Sequence, residues 1–160
     1  MDDLRVKSVQ NSALWAAYGD ALGFISELTD EKGLKRRINS SRLTKAVSWK
    51  RRVGGRFGAR MELPAGCYSD DTQLRLATCR AIRGDGAFDV EAFAKIELPV
   101  WNSYALGGGV GTHSAATSLA RPDVTWFSNF FKTQRQTYFG GGGNGAAMRI
   151  QPHVWAAKEK

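Results

Sequence analysis

Cysteine and histidine are scarce in this chain, and their scarcity removes several chemistries before any motif is considered. Cys67 and Cys79 are the only cysteines among 160 residues. They have neither CxxC spacing nor the density of a secreted scaffold, so they are expected to be reduced thiols in a reducing compartment and carry no functional argument. His113 and His153 are the only histidines. Neither has Cys, Ser or Asp neighbours at triad or zinc-like spacing, and both read as structural. Long apolar runs are missing too: none approaches the roughly eighteen residues that cross a bilayer. The amino terminus, MDDLRVKSVQ, is too polar and too acidic at its start for a signal peptide. The expectation is a cytoplasmic protein with no membrane partner. No internal repeat is evident. What remains, 42% apolar and 24% charged residues, is ordinary for one globular domain with a real hydrophobic core.

Charge is unevenly spread. The formal net charge of +8 and the pI near 9.8 come largely from one segment, in which Lys35, Arg36, Arg37, Arg42, Lys45, Lys50, Arg51, Arg52, Arg56 and Arg60 fall within 26 residues around Trp49. A basic patch with an embedded aromatic suits nucleic acid or any phosphate-rich ligand, and it is equally what a solvated face looks like. No helix-turn-helix, zinc-finger or RNP pattern accompanies residues 35 to 60, so nucleic acid stays an open partner class.

From Leu4 to about Gly23, Leu14, Ala17, Ala21 and Leu22 recur with helical spacing while Ala13, Ala16, Gly19 and Gly23 keep the surface small, which predicts a tightly packed core helix. Asp20 sits within it. If the helix continues, Glu27 lies on the same face two turns on. A buried Asp20 needs donors or a cation, because an unpaired buried charge costs several kcal/mol; the alternative is a surface-facing Asp on an amphipathic helix. Residues 29 to 60 read as a short helix and a long loop. After Leu63-Pro64-Ala65-Gly66, the residues Leu74, Ala77, Thr78, Ala81 and Ile82 trace an amphipathic helix that Gly84 to Gly86 ends. Asp89 is a plausible N-cap for a helix carrying Val90, Phe93 and Ala94, which Pro99 must kink or end. Trp101 and Tyr104 are assigned to the core.

At the head of the 74–82 helix stands Ser69-Asp70-Asp71-Thr72. Two carboxylates flanked by two hydroxyls offer hard oxygen donors only, the kind that holds Mg²⁺ or Mn²⁺. Ser69 is also a good N-cap, and acidic residues in a first turn are favoured by the helix dipole, so the same four residues could do no more than start a helix. Two glycine-rich loops follow, Gly107-Gly108-Gly109-Val110-Gly111 leading into Thr112, and Gly140 to Gly143 with Asn144-Gly145 leading into Ala146-Ala147-Met148-Arg149. Backbone N–H groups at a glycine turn form an anion site that a phosphate can approach without a Cβ in the way. A flexible turn is the plainer reading of either loop. Gly140, Gly142 and Gly145 satisfy G-x-G-x-x-G, but only fifteen residues follow. That is too few for a crossover helix, a second strand and an acidic partner, so a dinucleotide fold is rejected. Neither loop has the Lys of a P-loop.

Taken in order, Gly19-Asp20-Ala21-Leu22-Gly23 with Glu27 beyond, Ser69-Asp70-Asp71-Thr72-Gln73-Leu74, and Gly143-Asn144-Gly145-Ala146-Ala147-Met148-Arg149 resemble the ADP-ribosylglycohydrolase family, which includes the dinitrogenase reductase activating glycohydrolases. The resemblance implies an all-α fold: a compact helical domain with a binuclear Mg²⁺ or Mn²⁺ centre that removes ADP-ribose from modified proteins or related adducts. It further implies that Glu27, Ser69, Asp70 and Asp71 are metal ligands, directly or through water, with Ser69 standing where the family more often has Thr. Glu27, Asp70 and Asp71 would be the catalytic residues, with Glu27 orienting or deprotonating the attacking water or gating the entrance. Gly142, Gly143, Asn144 and Gly145 would hold the diphosphate and ribose. Gly108, Gly109 and Gly111 would make a second phosphate or adenosine contact, while Asp20 and Thr72 would support the ligands from behind. Water would then attack the anomeric carbon through an oxocarbenium-like state.

One motif of the family has no counterpart here. An Asp-x-Asp-Thr in the C-terminal half completes the metal centre, and this chain has only Asp123 followed by Val124 and Thr125. The expectation is therefore a single, apparently truncated domain over residues 1–160, corresponding to the N-terminal part of the fold. Its site would be completed by a second copy or a partner chain, or else the protein would be a non-catalytic subunit that binds ADP-ribose or a nucleotide. A surface left uncovered in this way predicts self-association.

Overall fold

In the computed structural model, residues 3–53, 57–127 and 143–157 are described. They form a mostly helical protein whose strands make one two-stranded sheet among the described residues. The chain divides into two compact units, Met1–Ser69 and Asp70–Lys160.

The first unit begins with α1 (Asp3–Ser26), and only the last turns of this helix are buried, through Ala21, Phe24 and Ile25. The expected core helix is thus corrected over most of its length, since Leu14 and Trp15 are 68% and 72% exposed. Small residues allow close packing but do not compel it. The helix ends before Glu27, so the expected continuation also fails. The Glu27 N–H still bonds Gly23 O at 2.7 Å, but Leu28 turns to φ 51°, and Arg37 Nη1 donates to the carbonyls of Ile25 and Glu27 at 2.7 and 2.9 Å. A guanidinium on the last carbonyls satisfies groups that the helix leaves orphaned and complements its dipole.

Helix α2 (Glu31–Ile38) is specified locally at both ends. Asp30 accepts from the Gly33 N–H at 2.7 Å, Glu31 lies in the first turn and Lys35, Arg36 and Arg37 in the last, and Asn39 closes the helix in the left-handed region. Beyond it, the long loop expected to residue 60 is instead an antiparallel hairpin of β1 (Trp49–Val53) and β2 (Ala59–Leu63). Trp49 pairs with Leu63, Arg51 with Met61 and Val53 with Ala59, while Lys50 pairs with Glu62 and Arg52 with Arg60 on the opposite face. Trp49 meets Phe24 edge to face, with centroids 5.3 Å apart, and each ring carries a guanidinium, Arg37 over Trp49 at 5.4 Å and Arg51 over Phe24 at 4.3 Å. Such an aromatic pair contributes about 0.5–1.5 kcal/mol beyond its area. Burial, with Arg51 nearby, lowers the Arg37 pKa.

In the second unit α3 (Asp70–Arg80) presents Leu74, Ala77 and Thr78 to the interior as expected, but it stops four residues before Gly84. The chain reverses there through a turn in which Gly86 has φ 87°, Arg83 N bonds Ala87 O, and Asp89 N returns to Ala81 O at 2.8 Å. Asp89 then caps α4 (Val90–Ala92), accepting from Ala92 N at 2.9 Å. Phe93–Glu97 forms a π turn before α5 (Leu98–Trp101), in which Pro99 occupies the first turn. The Leu98 N–H reaches back five residues to Phe93 O. A proline ring clashes with the carbonyl four residues earlier, and the wider turn makes room for it. Trp101 is fully buried, whereas Tyr104, expected in the core, is 44% exposed with its hydroxyl accepting from Arg80. Helix α6 (Val110–Leu119) starts two residues before Thr112 and ends on the Lys95 ammonium, which donates to Leu119, Arg121 and Val124 carbonyls at 2.7–2.8 Å. A short 3₁₀ turn, Ala147–Arg149, precedes α7 (Gln151–Ala156). Among the described residues, no helix is long and apolar enough to cross a membrane.

Candidate functional site

Asp20 and Ser69 meet within the first unit. The Ser69 hydroxyl donates to Asp20 Oδ1 at 2.6 Å, and the Ser69 N–H points at both carboxylate oxygens at 3.1 and 3.2 Å. Asp20 is half-buried and has the donors that a carboxylate so placed requires. Burial, reinforced by the Asp20 charge, raises the neighbouring Cys67 thiol. Glu27 sits on the exposed turn after α1.

In the second unit Asp70 and Asp71 occupy the first turn of α3, half-buried, at the end of the helix where its dipole favours negative charge. Immediately behind them, Thr72, Gln73, Leu74 and Arg75 are all buried. Three of these four are polar, and each has a use.

Gln73 is 7% exposed, and its Oε1 accepts from Trp101 Nε1 at 3.0 Å and from the Leu106 N–H at 3.1 Å. It therefore holds the entrance of the Gly107 to Gly111 loop. The loop is gripped again by His113, which stacks on Trp101 with centroids 5.0 Å apart and lies 2.8 Å from Gly107 O through Nε2 and 2.7 Å from Asn102 Oδ1 through Nδ1. Gly107 and Gly108 have φ 100° and 90°. At Gly108 a Cβ would lie 2.9 Å from Trp101 and 3.0 Å from His113, so this glycine answers a packing need. Gly109 is exposed and precedes α6 in extended conformation, and Gly111 lies in the first turn of α6.

Arg75 plays the matching part for the other loop. It is 8% exposed, and it donates from Nε to Met148 O at 3.2 Å and from Nη1 to Thr72 Oγ1 at 3.3 Å. Gly143 and Asn144 are exposed and Gly145 half-buried. Met148 N bonds Asn144 O at 3.0 Å, and Arg149 Nε donates to Gly145 O at 2.6 Å while its guanidinium lies over the Phe93 ring at 4.9 Å. Burial holds the Arg149 pKa below its ordinary value. Gly142, with Gly140 and Gly141, lies outside the described residues.

One helix thus carries the carboxylate pair and, through two buried polar side chains, is bonded to both glycine-bearing turns. Gln73 and Arg75 were not singled out by sequence reasoning. The available signal was their place in α3, Gln73 four residues before the buried Ala77 and Arg75 three before the buried Thr78, where a polar side chain must find a partner.

The site's oxygen donors are of the kind a divalent cation takes, but they are few. Among the described residues no three of His, Cys, Asp and Glu gather closely enough to hold a metal ion. Asp70 and Asp71 supply two carboxylates, against the six or so ligands that Mg²⁺ or Mn²⁺ wants. The described residues do not, by themselves, fit a binuclear centre.

The described residues thus form a mostly helical frame with paired carboxylates at a helix start and glycine turns tied to that helix. The family model for ADP-ribosylglycohydrolase matches residues 3–160, and the chain belongs to that family. Its family-level activity is hydrolysis of ADP-ribosylated substrates. No curated protein and no solved structure matches the chain.

Proposed function

We propose that this chain provides the carboxylate corner and the phosphate-facing turns of a site that hydrolyses an ADP-ribose glycosidic linkage, and that a second polypeptide supplies further carboxylates. The observation that carries this reading is the bonding of both glycine turns to the helix that bears Asp70 and Asp71, through Gln73 and Arg75. Main-chain N–H groups of the Gly143 to Gly145 turn receive the diphosphate, and the absence of side chains there lets it approach. Asp70 and Asp71 face the ribose end, where negative charge favours an oxocarbenium-like centre and a carboxylate can take a proton from the attacking water. Were Mg²⁺ or Mn²⁺ bound in such an assembly, Asp70 and Asp71 would be this chain's donors to it and the ion would supply Lewis-acid stabilisation.

Release of ADP-ribose from an ADP-ribosylated protein, with Mg²⁺ or Mn²⁺ present, tests the proposal. The chain combined with the product of a neighbouring reading frame is expected to be active, the chain alone inactive, and Asp70→Ala inactive in either case. Equal rates for the wild type and Asp70→Ala would reject it.

The shortage of carboxylates favours a second reading, a non-catalytic subunit that holds ADP-ribose on its glycine turns. Calorimetry separates the two: binding that needs no divalent ion and leads to no turnover selects the second.

A further inference from the structure

The arginines of the second unit carry counter-ions where they need them least. Arg80, Arg83 and Arg121 are exposed, and each has a carboxylate, Glu97, Asp85 and Asp123 in turn, at 2.7–3.2 Å. Arg75 is 8% exposed, and the ion pairs among the described residues do not include it. A guanidinium withdrawn from water is the one that requires a counter-charge, because pairing is what offsets its desolvation. Of its five N–H donors two are engaged among the described residues, one on Nε with Met148 O and one on Nη1 with Thr72 Oγ1. Three remain, including both on Nη2. Nη2 is not sealed in, since the buried unsatisfied side-chain atoms of the described residues are Trp49 Nε1 and Gln151 Oε1.

The two bonds made by Arg75 set its guanidinium between the first turn of α3 and the glycine turn that ends at Met148. On that turn the carbonyls are taken and the N–H groups are not. The carbonyls of Asn144, Gly145, Ala146 and Ala147 accept from Met148 N, Arg149 Nε, Arg149 N and Ile150 N, and that of Met148 from Arg75. The N–H groups of residues 144 to 147 have no acceptor among the described residues. Uncommitted main-chain donors next to an unpaired cation call for an oxyanion.

We propose that Arg75 is a direct contact to the ligand, donating from Nη2 to a phosphate oxygen of the diphosphate on the Gly143 to Ala147 main chain, and that it sets the preference for a phosphorylated ligand over a bare nucleoside. This rests on the reading of that turn as phosphate-facing. A phosphate group offers several oxygens, so one can take main-chain N–H groups while another takes the guanidinium, whose counter-charge the ligand then supplies.

Calorimetry on the full chain with inorganic pyrophosphate, ADP-ribose and adenosine, in the absence of divalent ions, tests this. Arg75→Gln and Arg75→Met, two neutral variants, should each weaken pyrophosphate and ADP-ribose about 10- to 100-fold, the worth of a hydrogen bond to a charged group, and narrow the preference for ADP-ribose over adenosine. Arg75→Lys keeps the charge but not the geometry of the bonds to Met148 and Thr72, so it should lose only about threefold. A residue that merely braced the turn would give the other grouping, with the lysine variant as weak as the neutral ones. Arg83→Gln removes an exposed cation paired with Asp85 and should change nothing, and circular dichroism checks that each variant is folded. Equal weakening of pyrophosphate by the lysine and neutral variants, or an undiminished preference for ADP-ribose in the neutral ones, would overturn the proposal. A wild type that binds neither pyrophosphate nor ADP-ribose would reject the phosphate-facing turn and Arg75 with it. A wild type that binds both, with neutral variants that bind as well, would reject Arg75 alone.

Discussion

At Gly108 an added Cβ would sit 2.9 Å from Trp101 Cη2 and 3.0 Å from His113 Nε2, whereas at Gly143 and Gly145 no atom of the described residues lies within 4 Å. The first turn is wedged between buried side chains and needs φ near 90°, a region that disfavours any Cβ. The second has no positive φ at its described glycines and, among the described residues, no neighbour close beside them. In the one, glycine is demanded from inside by packing. In the other, packing among the described residues makes no demand, and the missing side chains leave room for a ligand. This difference makes the Gly143 to Gly145 turn the stronger candidate for ligand contact and the Gly107 to Gly111 turn a brace whose exposed edge begins at Gly109.

The largest effect should come from removing what the first turn is wedged against. Trp101→Ala deletes a fully buried indole and the donor to Gln73, and should cost about 3–5 kcal/mol in a urea unfolding experiment. Gly108→Ala combines the left-handed strain with overpacking against that same ring, and should cost about 2–4 kcal/mol. Arg75→Met removes donors to Met148 O and Thr72 Oγ1 while keeping much of the buried volume, and should cost about 1.5–2 kcal/mol. A negligible cost for Gly108→Ala would break the comparison, since the first turn would then be as free of its surroundings as the second. Proteolysis of the folded variants sharpens it: Arg75→Met should expose the chain near Met148 to cleavage, and Gly108→Ala should expose it near Leu106.

Helical periodicity and capping are local signals, and they showed through where they decide the outcome. Leu74, Ala77 and Thr78 marked the buried stripe of α3, Asp89 its neighbour's cap, and Pro99 the place where a regular helix fails. The hairpin was hidden because its alternation is carried by charge: inward positions include Arg51 and Met61 beside Trp49 and Leu63, so an apolar period of two never forms. α1 misled for the opposite reason, its small residues describing a packable surface that only Ala21, Phe24 and Ile25 use. In the candidate site, the carboxylate pair and both glycine turns were visible as motifs. What ties them together was not, because Gln73 reaches a backbone amide 33 positions away and Arg75 a carbonyl 73 positions away. Partnership at such separations is a property of the fold and leaves only a weak trace in the sequence, a polar residue where the helix is buried.

The smallest change in stability is expected at Gly145, and it is the most informative about function. With no positive φ and no neighbour within 4 Å among the described residues, Gly145→Ala should leave the fold intact or stabilise it by about 0.4–1 kcal/mol, because alanine narrows the unfolded ensemble. If the open side of this turn is where a diphosphate approaches the main chain, the same methyl group occupies the ligand's space, and ADP-ribose affinity should fall about tenfold, equivalent to about 1.4 kcal/mol. Thermal unfolding and an ADP-ribose titration on the same sample separate the two effects, which here carry opposite signs. A Gly145→Ala protein that is both more stable and unimpaired in binding would remove the turn from the site. One as destabilised as Gly108→Ala would mean that both turns are packing devices, leaving Asp70 and Asp71 without a phosphate-facing partner among the described residues.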